Sequence, residues 1–138
     1  MNIEHSDISD TDFIQQIEQL RLDPKHFNHL GHLRLAWLYL QQYPSALAIT
    51  KVCQTISNYA RHLNAPQKFH LTVTCTLVKI IAERMQHSRH HNWQAFYRDN
   101  NDLQENTIDL VQQCFSIDIF NCELARTALV EADLHTFQ

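Results

Sequence analysis

The chain has 138 residues, a formal net charge of −4 and 44% hydrophobic residues, which is the size and balance of one globular domain rather than a disordered chain. The acidic balance argues against nucleic acid as a partner, because phosphate binding needs a basic surface, and no run of about 18 apolar residues is available to span a membrane. The single glycine, Gly31, deprives the chain of left-handed turns and hairpins, which disfavours small all-β folds and glycine-rich phosphate loops.

Residues 1–8 are polar and acidic, without the basic start and apolar stretch of a secretory signal; a flexible tail and a cytoplasmic location are the expectations. Ser9 or Asp10 reads as an N-cap. Phe13, Ile17 and Leu20 follow at helical spacing, so a first helix is predicted over 10–22, ahead of Pro24. Asn28 caps a second helix, predicted to run to Gln42 before Pro44. Ser45 opens a third, to about Leu63, with the stripe Ile49, Val52, Cys53, Ile56, Tyr59, Ala60 and Leu63. Asn64-Ala65-Pro66 then punctuates the chain.

The stretch from Gln67 to Met85 carries two signals. Leu71-Thr72-Val73-Thr74-Cys75-Thr76-Leu77 alternates and is β-branched, as a strand would be. The apolar pattern nevertheless continues through Val78, Ile80 and Ile81 into a strongly helix-forming tail, and no second alternating segment exists to pair with a strand. A helix is predicted. His87-Ser88-Arg89-His90-His91 reads as a solvated joint. A short helix around Trp93, Phe96 and Tyr97 follows, then a longer one from Asp102 to Phe115, and two short helices capped by Ser116 and Asn121. The whole is an all-α bundle of five to seven helices, with residues 9–138 as one domain. Cys53, Cys75, Cys114 and Cys122 form no Cys-x-x-Cys pair and read as buried, inert thiols.

Ten histidines are the main chemical feature. At about 100° per residue, His29 falls within the apolar face of the second helix, with Leu33, Ala36 and Leu40. His32 lies at that face's edge beside Tyr39, and Arg34, Gln41 and Gln42 mark the wet side. His70 falls on the apolar arc of the fourth helix, one turn before Thr74. Two readings follow. His29, His32 and His70 are three neutral ligands for zinc, iron or copper, the metals suited to imidazole; or each ring bonds a backbone carbonyl or a threonine hydroxyl and holds the core in register.

Three blocks resemble an uncharacterised family of small bacterial helical proteins. Phe27-Asn28-His29-Leu30-Gly31-His32 through Ala36-Trp37 resembles its Phe-x-His-x-x-His-x-x-x-Ala-Trp motif, and Lys68-Phe69-His70-Leu71-Thr72 its Lys-Tyr-His-Glu-Thr motif. Phe115-Ser116 through Ala125-Arg126 to Ala132-Asp133-Leu134 resembles its Tyr-Ser…Ala-Arg…Pro-Asp-Leu tail. The resemblance implies a helical fold with His29, His32 and His70 as motif residues, and carries no activity. Leu71 stands where the pattern has Glu, removing a carboxylate that a metal or a proton transfer would use, and Ala132 stands where it has Pro.

The expectation is a helical protein that binds a transition metal (zinc, iron or copper) or a small ligand within the bundle, with metal-dependent catalysis as one form of it. His29, His32 and His70 are the metal ligands, and Trp37, Tyr39 and Thr74 line the site. Arg126 and Asp133 are expected to pair and dock the last helices. The alternative is a protein–protein interaction module with structural histidines, in which exposed Trp37 and Trp93 anchor the partner.

Overall fold

A computed structural model describes residues 8–137. Among them are eight α-helices, three single 3-10 turns and no strand. The expected tail falls outside the described residues except for Ile8, whose carbonyl accepts from Arg34 at 2.9 Å.

Helix α1 spans Asp10–Glu18, with the Ser9 hydroxyl accepting from the Asp12 amide at 3.1 Å. It is shorter than predicted. Leu20, read as part of its stripe, takes a φ of 62° and is 38% exposed, so the helix ends there and the Arg21 amide turns back to the Gln16 carbonyl. Helix α2, His29–Gln42, begins where Asn28 accepts from the Gly31 amide at 2.8 Å. Gly31 has ordinary helical φ. It is required because a Cβ there would overlap the His26 carbonyl oxygen of the preceding 3-10 turn, Pro24–His26.

Helix α3, Ser45–His62, ends at Leu63 and at Asn64, which takes a φ of 60°, as its position before Pro66 predicts. Helix α4 spans Leu71–His87 and settles the ambiguous segment as helix. Tertiary contacts override β-propensity here. Thr72 is fully buried, and its hydroxyl donates to the Ala128 carbonyl at 2.8 Å while accepting from the Val130 amide at 3.0 Å. A hydroxyl with both its donor and acceptor engaged fits a core position that valine could only fill by volume.

Helix α5, Trp93–Asp99, is capped by Asn92. The long helix predicted from Asp102 is two short ones, α6 (Asp102–Glu105) and α7 (Thr107–Gln112). Helix α8, Glu123–Thr127, follows a 3-10 turn at Ile119–Asn121. Ser116 and Asn121 cap neither; Cys122 occupies the N-cap position of α8.

Helices α2, α3 and α4 pack on one another as the central layer; α1 lies on α3, α5 and α6 on α2, and α7 and α8 on α4. Arg34, expected on the wet face of α2, is 6% exposed. Its guanidinium sits 4.8 Å from the Phe13 ring centroid and donates twice to Asp10 Oδ1, at 2.6 and 3.1 Å. The aliphatic stem packs inside while the head reaches Asp10 at the start of α1. No helix among the described residues is long and apolar enough to cross a membrane.

Candidate functional site

The three motif histidines occupy three environments. His70 is the N-cap of α4, not a residue within it: its Nδ1 accepts from the Val73 amide at 3.2 Å. That fixes the tautomer, so Nε2–H donates to the Ile119 carbonyl at 3.1 Å. Both nitrogens are engaged. Burial is the main cause of its lowered pKa, opposed by the Ile119 carbonyl.

His29 is half-buried and reaches the joint between α6 and α7. The Thr107 hydroxyl donates to the Leu103 carbonyl, so His29 Nε2–H is the donor to Thr107 Oγ1, at 2.6 Å, and lies 3.3 Å from the same carbonyl. This three-way contact sits where the predicted long helix breaks. Burial lowers the His29 pKa.

His32, placed at the margin by the helical wheel, is half-buried, whereas His70 is the buried one of the three. Its ring meets Phe27 edge-on with centroids 4.5 Å apart, and Nε2 is buried without a hydrogen-bond partner. Burial, with His29 nearby, pushes its pKa down to about 4, so the ring is neutral at physiological pH. Among the described residues, no group of three or more His, Cys, Asp or Glu side chains is placed to hold a metal ion.

The other expected site residues divide. Tyr39 is buried, its hydroxyl donating to Glu18 Oε2 and lying 3.0 Å from Thr55 Oγ1; burial and Glu18 raise its pKa. Thr74 is half-buried in the first turn of α4, its amide donating to the His70 carbonyl. Arg126 and Asp133 do not pair. Arg126 donates to the Gln67 carbonyl, and the Asp133 carboxylate accepts from the Ser116 amide at 2.9 Å and from its hydroxyl at 2.5 Å. Each charge finds a nearer partner than the other, and the Ser116 bonds hold the Asp133 pKa below the usual carboxylate range.

Trp37 and Trp93 are not exposed anchors. They are 3% and 1% exposed and pack with Phe96 in one aromatic cluster. The Trp37 indole N–H is buried there with no acceptor. His90, expected to be solvated, is the surprise. Its side chain is 8% exposed, its ring meets Phe96 edge-on at 5.6 Å, and Nε2–H donates to Asp99 Oδ2 at 2.9 Å. Nδ1 is buried without a partner.

Trp37 and His90 line one cavity of about 280 Å³, between the C-terminal half of α2 and the irregular joint 88–92 that follows α4. Comparison with known proteins finds no matching family model, no similar curated protein and no similar solved structure. The site therefore rests on its own chemistry. Three buried side-chain nitrogens lack partners among the described residues, and two of them belong to residues of this cavity. A buried donor or acceptor left unpaired costs about 1–3 kcal/mol, and neither nitrogen has surface open to the cavity, so both lie behind its wall.

The sequence pointed to Trp37 but not to His90. The spacing of His87, His90 and His91 resembled a frayed helix end. The available signal was Asn92-Trp93, a cap and an apolar residue immediately after, which requires the joint to fold back over the core.

Proposed function

We propose that this chain is a small-ligand-binding helical protein whose ligand occupies the cavity between α2 and the α4–α5 joint. The observation that carries the reading is a cavity of about 280 Å³ with an aromatic and apolar wall, Trp37, Leu40 and Met85, and with Gln41, Ser88 and Arg89 in its lining. Pre-formed pockets with a few convergent polar groups against aromatic walls are the usual form of small-molecule sites. The test is a titration of isotopically labelled protein with small polar probes (acetate, inorganic phosphate, acetamide and imidazole), followed through the Trp37 indole resonance. Saturable movement with at least one probe supports the reading, and none with any of them overturns it.

A transition-metal form of the proposal draws on a different observation. His32 Nε2 is neutral and unpartnered, the state in which imidazole ligates zinc, iron or copper, and His29 is its neighbour one turn before. His70 would have to leave both the Val73 amide and the Ile119 carbonyl to join them. Elemental analysis of protein purified without an affinity tag decides this form: stoichiometric metal that disappears in His32→Leu supports it, and metal-free protein that takes up no zinc at neutral pH rejects it.

A further inference from the structure

We propose that Cys53 and Cys75 are a dithiol–disulfide pair, oxidised by hydrogen peroxide to a crosslink that joins α3 to α4. The pair is independent of the ligand cavity. Its members lie 22 positions apart, a spacing that hides their relation in the sequence. Helices α3 and α4 pack side by side and bring the two sulfurs to 3.2 Å. Hydrogen bonding alone gains little from that contact, because a thiol is a weak donor and a weak acceptor. Bonded sulfurs stand about 2.05 Å apart, so closure asks each to move by about 0.6 Å, a displacement of the size that χ1 rotation supplies. The residues keep 8% and 6% exposure, which suits a water-sized oxidant better than a bulky disulfide. Cys114 instead gives its S–H to the Leu110 carbonyl at 3.6 Å, and Cys122 stands at the start of α8. Among the described residues no other two sulfurs are in contact.

The two sulfurs differ in role. Contact with Cys53 draws the Cys75 pKa down; burial opposes it, and the charge of Lys79, one turn along α4, adds to it. The same contact and burial push the Cys53 thiol up. Cys75 is therefore the sulfur that reacts first, as its thiolate. It attacks one oxygen of the peroxide. The O–O bond breaks, Cys75 becomes a sulfenic acid, and the hydroxide released takes up the proton that Cys75 gave. Cys53 then attacks the Cys75 sulfur. The S–S bond forms, the S–O bond breaks, and hydroxide leaves with the Cys53 proton as water. Two thiols have lost two electrons and two protons, and one peroxide has become two waters. The crosslink closes a loop that holds the Pro66–Lys68 turn and the His70 cap, and it restricts the unfolded chain more than the folded one.

The test adds hydrogen peroxide to the folded chain, unfolds it in an alkylating agent and maps the peptides by mass without reductant. The expected product is an intramolecular Cys53–Cys75 crosslink, two hydrogens lighter than the reduced chain and reversed by dithiothreitol, with Cys114 and Cys122 alkylated. In Cys53→Ser the oxidation should stop at the Cys75 sulfenic acid, which dimedone traps, and in Cys75→Ser the Cys53 thiol should stay reduced. The oxidised wild-type chain should unfold at a higher urea concentration than the reduced one. Cys53 and Cys75 both recovered as alkylated thiols, at a peroxide concentration that oxidises Cys122, overturn the proposal, and that result needs no variant to fold. A crosslink that forms only in urea, or one that joins either sulfur to Cys114 or Cys122, overturns it as well.

Discussion

The imidazole of His70 joins two parts of the chain that no backbone ladder connects: it caps the first turn of α4 through Val73 and, 3.1 Å away, holds the carbonyl of Ile119 in the turn before α8. Ile119 is fully buried, so that carbonyl has no recourse to solvent. His70→Ala removes a cap worth about 1 kcal/mol and strands a buried acceptor at about 1–3 kcal/mol, for an expected loss of about 2–3 kcal/mol. His70→Asn keeps a capping acceptor without the reach to Ile119, and should recover about 1 kcal/mol of it. Urea unfolding of the two variants measures both contributions; equal stabilities would show that the cap is irrelevant.

Stability should fall in mild acid because of His32. Its pKa is about 4 in the folded chain against 6.5 when unfolded. Above 6.5 both states are neutral and the residue contributes no slope. Below it the unfolded chain takes a proton that the folded chain refuses, so stability declines as pH falls from 6.5 toward 4, by about 3 kcal/mol across the window. His29 and His70, shifted in the same direction, steepen the decline. His32→Leu should flatten this limb. It should also leave stability at neutral pH unchanged or slightly higher, because an unpartnered nitrogen is removed. Unfolding free energies at several pH values check both statements.

Gly31→Ala should destabilise despite the better helix propensity of alanine. The propensity gain is about 1 kcal/mol, but the new methyl overlaps the His26 backbone carbonyl and must push the Pro24–His26 turn off α2. A net loss of about 1–2 kcal/mol is expected in thermal melts. A stabilised variant would mean that the turn gives way freely.

The two arginines should behave differently. Arg34 is 6% exposed and bonds both Asp10 and the Ile8 carbonyl, so Arg34→Ala loses packing as well as hydrogen bonds and should cost about 2 kcal/mol. Arg126 makes one bond, to Gln67, and Arg126→Ala should stay within about 1 kcal/mol. Parallel thermal melts give the comparison. Asp133→Asn is read by hydrogen exchange, with faster exchange expected at the Ser116 amide that the carboxylate holds.

The helices were legible where their signals are local. Asn28, Pro44 and Asn64 sit at the boundaries because caps and proline act on neighbouring residues. The reading faltered where distant contacts decide. The break between α6 and α7 coincides with the contact of Thr107 with His29, 78 positions away in sequence, which no local pattern encodes. The helical wheel set His29 within the apolar face and His32 at its edge; both are half-buried, and what touches each ring is set outside the helix, Phe27 for His32 and the α6–α7 joint for His29. Cys53 and Cys75, unremarkable in sequence, lie with their sulfurs 3.2 Å apart because α3 and α4 pack side by side. Of the site proposed above, Trp37 was visible in the sequence and His90 was not, since its burial comes from a non-helical joint turning back over Phe96.

The segment after α8 has its own thermal behaviour to show. It is fastened by separate points: Thr72 to Ala128 and Val130, the Leu134 amide to the Cys114 carbonyl, Asp133 to Ser116, and His135 to Glu83. A strap pinned at discrete points, rather than laced into a helix, comes away as a unit once its buried pin is drawn, and that pin is the Thr72 hydroxyl. Thr72→Val would keep the volume and remove the pin. Amides of residues 128–137 should then exchange together through a low-energy opening while α2 and α3 stay closed, dividing the molecule into a slow-exchanging body and a detachable end.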